Sequence, residues 1–180
     1  MKYEIIGVGK MGSCMAYTML LQNEKVHIIL TEPVKEFRNK AKAEYYDLLP
    51  VARATKNKLE FRTTISKTSD AYILTAGQPR TSPKQSKESL YEYNSELILG
   101  FLKKIPNRMP LFVVTNPVYK LTKLLKRHGH IAIPLRKCTD KLRKDKKINN
   151  KVLKHKGHTQ YTPAYACAHT IQQLIGGPWE

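Results

Sequence analysis

The chain has 180 residues, 41% hydrophobic and 26% charged, which suits one globular domain plus an appendage and excludes wholesale disorder. No apolar run approaches membrane-spanning length and the first residues enter a strand pattern directly, so neither a spanning segment nor a leader peptide is expected. Thirty-two Lys and Arg face 14 Asp and Glu, and this net charge of +18 exceeds what solubility requires and points to anionic partners.

Along the chain, short apolar runs alternate with helical patterns, which predicts a parallel sheet with crossover helices. Candidate strands are Tyr3–Val8, Val26–Thr31, Leu59–Thr63, Ala71–Thr75 and Leu111–Thr115. After the first strand, Met11, Met15, Ala16, Met19 and Leu20 share one helical face. A second helix is predicted over Val34–Leu49. A third begins at Ser89, with Glu92 at capping-box spacing, and carries Leu90, Tyr93, Leu97, Ile98, Phe101, Leu102 and Ile105 as its apolar stripe. Pro106 stops it. The fold class expected is α/β, doubly wound, with strands in the order 3-2-1-4-5 and a domain over residues 1–118.

Beyond residue 118 the pattern changes. A basic helix fits Tyr119–Arg127, residues 136–158 hold few core formers, and a terminal helix is expected from Thr162 as N-cap, with Pro163 at its first position. Residues 119–180 therefore read as a basic, partly irregular segment ending in one helix. Residues 119–156 hold 14 basic and two acidic side chains, so two thirds of the net charge sits in 38 residues. Lys120, Lys123, Lys126 and Arg127 recur along one helical face. Arg136, Lys137, Lys141, Arg143, Lys144, Lys146, Lys147, Lys151, Lys154 and Lys156 follow. Such a block suits nucleic-acid phosphate, with Tyr161 and Tyr165 as possible stacking groups beside their packing role. Cys14, Cys138 and Cys167 are odd in number and lack CxxC spacing, which argues for a reducing, cytoplasmic setting without disulfides. His128, His130, Cys138, His155 and His158 match no compact zinc spacing, so no metal is expected.

Strand one runs into Gly7-Val8-Gly9-Lys10-Met11-Gly12, a GxGxxG between a strand and an amphipathic helix. In that context Gly7 permits the tight turn, Gly9 lets a pyrophosphate approach the backbone, and Gly12 allows close helix–strand packing. The helix N-terminus, at Lys10 and Met11, offers free N–H groups to the anion. Glu32 lies 20 residues past Gly12, at the end of strand two. It can accept hydrogen bonds from a ribose and would repel a 2′-phosphate, which favours NAD over NADP.

Further motifs resemble the lactate/malate dehydrogenase family. Asp47-Leu48 is similar to its "DL" turn and Thr75-Ala76-Gly77-Gln78-Pro79-Arg80 to its "TAGxPR" loop. Val113-Val114-Thr115-Asn116-Pro117-Val118 matches "VTNPV". Lys156-Gly157-His158-Thr159-Gln160-Tyr161-Thr162-Pro163-Ala164 resembles "KGATYYxPA". The resemblance implies a Rossmann-type NAD domain, with Thr75, Ala76, Gly77 and Asn94 beside the cofactor and Asn116 orienting the substrate. Arg80 would bind the substrate carboxylate, as in malate-type enzymes. Lys87 stands where the family has a second loop arginine, which keeps the charge but loses the bidentate fork. Asp140-Lys141-Leu142-Arg143 resembles "LDxxR", which would make Asp140 the partner of a catalytic histidine and Arg143 a carboxylate clamp. No "GEHG" segment is found, so the histidine falls to His155 or His158. A truncated, degenerate family member is expected on these departures. The main reading is a catalytically inactive, RNA-binding and ribosome-associated protein on an NAD-binding scaffold, with oligomers open. The alternatives are an NAD-dependent dehydrogenase of a 2-hydroxy acid and an NAD-sensing module.

Overall fold

The structure is a computed structural model and describes residues 1–22, 25–79, 85–136 and 160–175. Six parallel strands form one sheet: β1 Lys2–Ile6, β2 His27–Thr31, β3 Lys58–Arg62, β4 Ala71–Leu74, β5 Pro110–Val113 and β6 Ile131–Pro134. Their spatial order is β3-β2-β1-β4-β5-β6. The described α-helices are α1 Lys10–Gln22, α2 Arg38–Ala54, α3 Lys87–Leu102, α4 Val118–Arg127 and α5 Tyr161–Ile175, and a 3-10 turn, Lys35–Phe37, leads into α2.

Helices cover both faces, which is why the central strands are continuously apolar. Ile5, Ile28, Leu30 and Ile73 pack with Met15, Met19 and Leu20 of α1 and with Cys167 and Ile171 of α5. On the opposite face, Ile6, Tyr72, Leu74 and Val113 pack with Ile98, Phe101 and Leu102 of α3 and with Leu121 and Leu125 of α4. The strand order reverses between β1 and β4, so a crevice opens where their C-terminal ends diverge.

One buried carboxylate fixes the crossover from β3 back to β4. Glu4 is fully buried in β1. It accepts hydrogen bonds from the Thr31 hydroxyl at 2.7 Å, the Ser66 N–H at 2.9 Å and the Ser69 hydroxyl at 2.9 Å. Burial pushes its pKa up, and these donors pull against that shift. The hydrogen bonds satisfy a group whose unpaired burial would be expensive.

The structure adds to the sequence reading and corrects it in four places. The sheet continues past residue 118 through α4 into β6, a four-residue strand too short to show an alternating pattern. Helix α2 continues beyond Leu49 through the exposed Pro50 to Ala54. Helix α3 is capped by Ser86, not Ser89: the Ser86 hydroxyl accepts the Ser89 N–H at 2.9 Å, so Ser89 is the receiving residue. Helix α5 begins at Tyr161, and Pro163 sits inside the first turn, where its missing N–H costs nothing. Among the described residues no helix is long and apolar enough to cross a membrane.

Candidate functional site

The turn from β1 into α1 is built on absent side chains. Gly7 leaves the strand at φ +95°, and its N–H donates to Thr31 O at 2.8 Å. A Cβ there would lie 2.3 Å from the Ala76 backbone, and one on Gly12 would lie 2.3 Å from Gly7 O. Any side chain at either position would force β1, α1 and the end of β4 apart. Gly9 is different, since a Cβ there would meet nothing within 4 Å. Its outer surface is open beside Lys10 and Met11, the first residues of α1, whose N–H groups lack intrahelical acceptors. Together they make a seat for an anion.

Glu32 closes one side of this seat. It is 4% exposed at the end of β2. One carboxylate oxygen accepts the Val8 N–H at 3.1 Å and the other the Val34 N–H at 3.2 Å, so the glycine turn is tied to the β2 loop. Burial pushes its pKa up, opposed by these two N–H donors and by Arg38. A carboxylate held there keeps lone pairs for ribose hydroxyls.

The opposite wall comes from the ends of β4 and β5. The Thr75 hydroxyl donates to Gly7 O at 2.6 Å, and the Ala76 N–H donates to Ile6 O at 2.7 Å. The Thr115 hydroxyl reaches Leu74 O at 3.1 Å and Ala76 O at 2.8 Å. Asn94 is fully buried on α3, and its amide bonds the backbone of both Gln78 and Asn116. Asn116 precedes Pro117 through a cis peptide bond.

The structure therefore gathers Gly7, Gly9, Lys10, Met11, Gly12, Glu32, Thr75, Ala76, Gly77, Asn94 and Asn116 around the C-terminal ends of β1, β2, β4 and β5. Lys87 is exposed at the first position of α3. Arg80, Asp140, Arg143 and His155 lie outside the described residues. So do Lys137, Lys141, Lys144, Lys146, Lys147, Lys151, Lys154 and Lys156. Sequence reasoning missed the anchoring role of Thr115, although it stands in the motif that contains Asn116. It also missed Gln160, whose amide donates to the Cys14 sulfur at 3.3 Å and brings the start of α5 onto α1, one turn beyond the glycine loop.

Residues 1–134 match the family model described as lactate/malate dehydrogenase, NAD binding domain. The malate dehydrogenase of Sulfolobus acidocaldarius is 30% identical over 122 residues, which is 65% of this chain and 39% of that protein. The L-lactate dehydrogenase of Gloeobacter violaceus is 30% identical over 126 residues, 67% of this chain and 37% of that protein. The chain thus spans about two fifths of the length of these relatives. Among solved structures, malate dehydrogenase from Archaeoglobus fulgidus in complex with NADH superposes with a TM-score of 0.75 at 18% identity. That match covers 100% of this chain and 79% of the other. The minor L-lactate dehydrogenase of Enterococcus mundtii, in ligand-bound form, gives 0.74 at 17% identity, covering 94% and 76%.

These matches overturn the reading of an inactive, RNA-binding, ribosome-associated protein, and the geometry of α4 explains why. Lys120, Lys123, Lys126 and Arg127 lie on the crossover helix between β5 and β6, inside the span that matches the dehydrogenase domain. They are not part of an added appendage. Lys120 is ion-paired to Glu88 on α3 and stands 5.7 Å from the Tyr91 ring, while Arg136 lies 5.9 Å from the Tyr119 ring. Val118, Leu121 and Leu125 fill the inner face of α4, so the lysines occupy its outward side as on any amphipathic crossover helix. Tyr161 and Tyr165 are exposed on α5, and Tyr165 stacks on His169 of its own helix.

Proposed function

The chain belongs to the lactate/malate dehydrogenase family through its NAD-binding domain, and from that premise we propose that it acts as an NAD-dependent dehydrogenase of a small 2-hydroxy acid. The observation that carries this reading is the open surface at Gly9, bounded by the start of α1, Glu32 and the Thr75–Gly77 wall. It has the shape and polarity a dinucleotide needs: N–H donors for the pyrophosphate, a carboxylate for the ribose and a reversal of strand order for the ring.

Bound there, NAD would supply the hydride acceptor and, when reduced, the donor. Each protein residue then has one task. Asn116, at the mouth of the β5 loop, orients the acid beside the ring. Arg80 and Arg143 hold its carboxylate, with Lys87 as a weaker third charge. His155 takes the hydroxyl proton and Asp140 holds the imidazole in the tautomer that can accept it.

The reading is tested by adding NAD to the intact chain and following binding by calorimetry, then following NADH oxidation with oxaloacetate or pyruvate. Saturable NAD binding, with turnover lost in His155→Ala, is expected. No heat of binding at millimolar NAD would overturn the cofactor assignment. Binding without turnover on either acid would overturn the enzymatic one.

A further inference from the structure

Beyond their last paired residues, Leu74 and Val113, strands β4 and β5 diverge into separate loops. Those loops are nevertheless held side by side. Thr115 makes the first link, through its hydroxyl to Leu74 O and Ala76 O. Asn94 makes the second. Its Oδ1 accepts the Gln78 N–H at 2.7 Å, while its Nδ2 donates to Gln78 O at 3.2 Å and to Asn116 O at 2.7 Å. The amide thus pairs with Gln78 in both directions, as a neighbouring strand would, and spends its other N–H on the β5 loop. Gly77 fits between the two links, for a Cβ there would stand 2.3 Å from Thr115 Cγ2 and 3.2 Å from Asn94 Cγ.

No other residue type can make this set of bonds at that reach. Aspartate lacks both donors, glutamine is one methylene too long, and serine has a single hydrogen to give. Asn94 is fully buried on α3, so this side chain is committed to the backbone of the two loops. We propose that Asn94 is a positioning residue, whose buried amide joins Gln78 to Asn116 and so fixes the spacing between the cofactor wall and the substrate-orienting loop. The inference rests on the dehydrogenase reading for its functional consequence and on the three hydrogen bonds alone for its geometry.

Two measurements on the full chain test it. The first is amide hydrogen exchange without NAD. In Asn94→Ala the Gln78 amide should lose its protection, while the Thr75 and Ala76 amides, bonded to Ile6 O, should keep theirs. The second is NAD affinity against pH. Asn94→Asp sets a carboxylate against two carbonyl oxygens and should weaken NAD about tenfold or more at pH 8. As the pH falls the protonated acid regains one donor for Asn116 O, so the ratio of wild-type to variant affinity should narrow towards one.

Unchanged protection of the Gln78 amide, or an affinity ratio constant across pH, would overturn the positioning role. Should Asn94→Ala fail to fold, Asn94→Asp read at two pH values carries the same decision. If the wild-type chain took up no NAD at all, the dehydrogenase reading would fall, while exchange at Gln78 would still decide the link between the loops.

Discussion

The glycines of the β1–α1 turn separate two kinds of constraint that the motif alone merges. Gly12 faces the Gly7 carbonyl at 2.3 Å from an ideal Cβ, so Gly12→Ala should destabilise the protein without any ligand, by about 1–3 kcal/mol as an overpacked site. Gly9 has only open space, so Gly9→Val should melt like the wild type and yet lose the rise in melting temperature that NAD gives by mass action. A thermal scan of both variants with and without NAD checks the pair. Equal destabilisation by the two substitutions would contradict this division. Glu32 adds a pH dependence. Burial raises its pKa in the free protein, and only the ionised form offers both oxygens to ribose hydroxyls. NAD affinity should therefore fall as pH drops through that raised value, and calorimetry on Glu32→Gln should find the dependence gone.

Among the elements, α2 departs furthest from its own propensities. Pro50 lies inside the helix, exposed, where a proline removes one hydrogen bond and crowds the preceding turn. Helix α2 persists because Ala41, Leu48 and Ala52 are buried against the sheet layer on both sides of it. Pro50→Ala should stabilise the protein, by up to about 3 kcal/mol less the proline's stiffening of the unfolded chain. The melting temperature in the absence of ligand measures it, and a fall would show that the helix depends on the proline's bend. Its position beyond Leu49 was hidden for the same reason: a proline reads locally as a stop, and only burial of Ala52 shows that the helix continues. The cap of α3 is equally ambiguous in the sequence, because Ser86 and Ser89 are both capping residue types three positions apart, and only the bond between them identifies Ser86 as the capping acceptor.

Across the whole molecule, buried and surface carboxylates oppose each other in acid. Glu60 on the edge strand β3 is held at a pKa of about 2, first by its hydrogen bond to Lys58 and then by that to Arg62. Its folded pKa is depressed, so its contribution is present above about pH 4.5 and is lost as pH falls towards 2. Glu4 has a raised folded pKa, so its effect has the opposite sign: stability declines as pH rises from 4.5 through that raised value. Urea titrations across this range should find that Glu60→Gln flattens the acid limb, because the variant is less stable than the wild type on the neutral side and converges with it towards pH 2. Glu4→Gln should be destabilised at every pH, because its amide would turn a donor towards the Thr31, Ser66 and Ser69 donors. An acid limb in Glu60→Gln as steep as in the wild type would assign acid unfolding to other groups.

The sequence by itself determined the doubly wound order and the dinucleotide turn, since both rest on local signals. Alternating apolar runs define strands and crossover helices, and a GxGxxG between strand and helix has few other uses. The acid 20 residues on follows from the spacing of a single β–α–β unit. The significance of the basic helix could not be read locally, because a row of lysines looks the same on a nucleic-acid surface and on the outside of a crossover helix. Its strand β6, its inward face of Val118, Leu121 and Leu125, and the pairing of Lys120 with Glu88 decided the matter. The links made by Glu4 and Asn94 were equally out of reach. They join residues 27 to 65 and 16 to 22 positions apart, and a hydrogen bond over such a distance exists only once the sheet has brought its loops together.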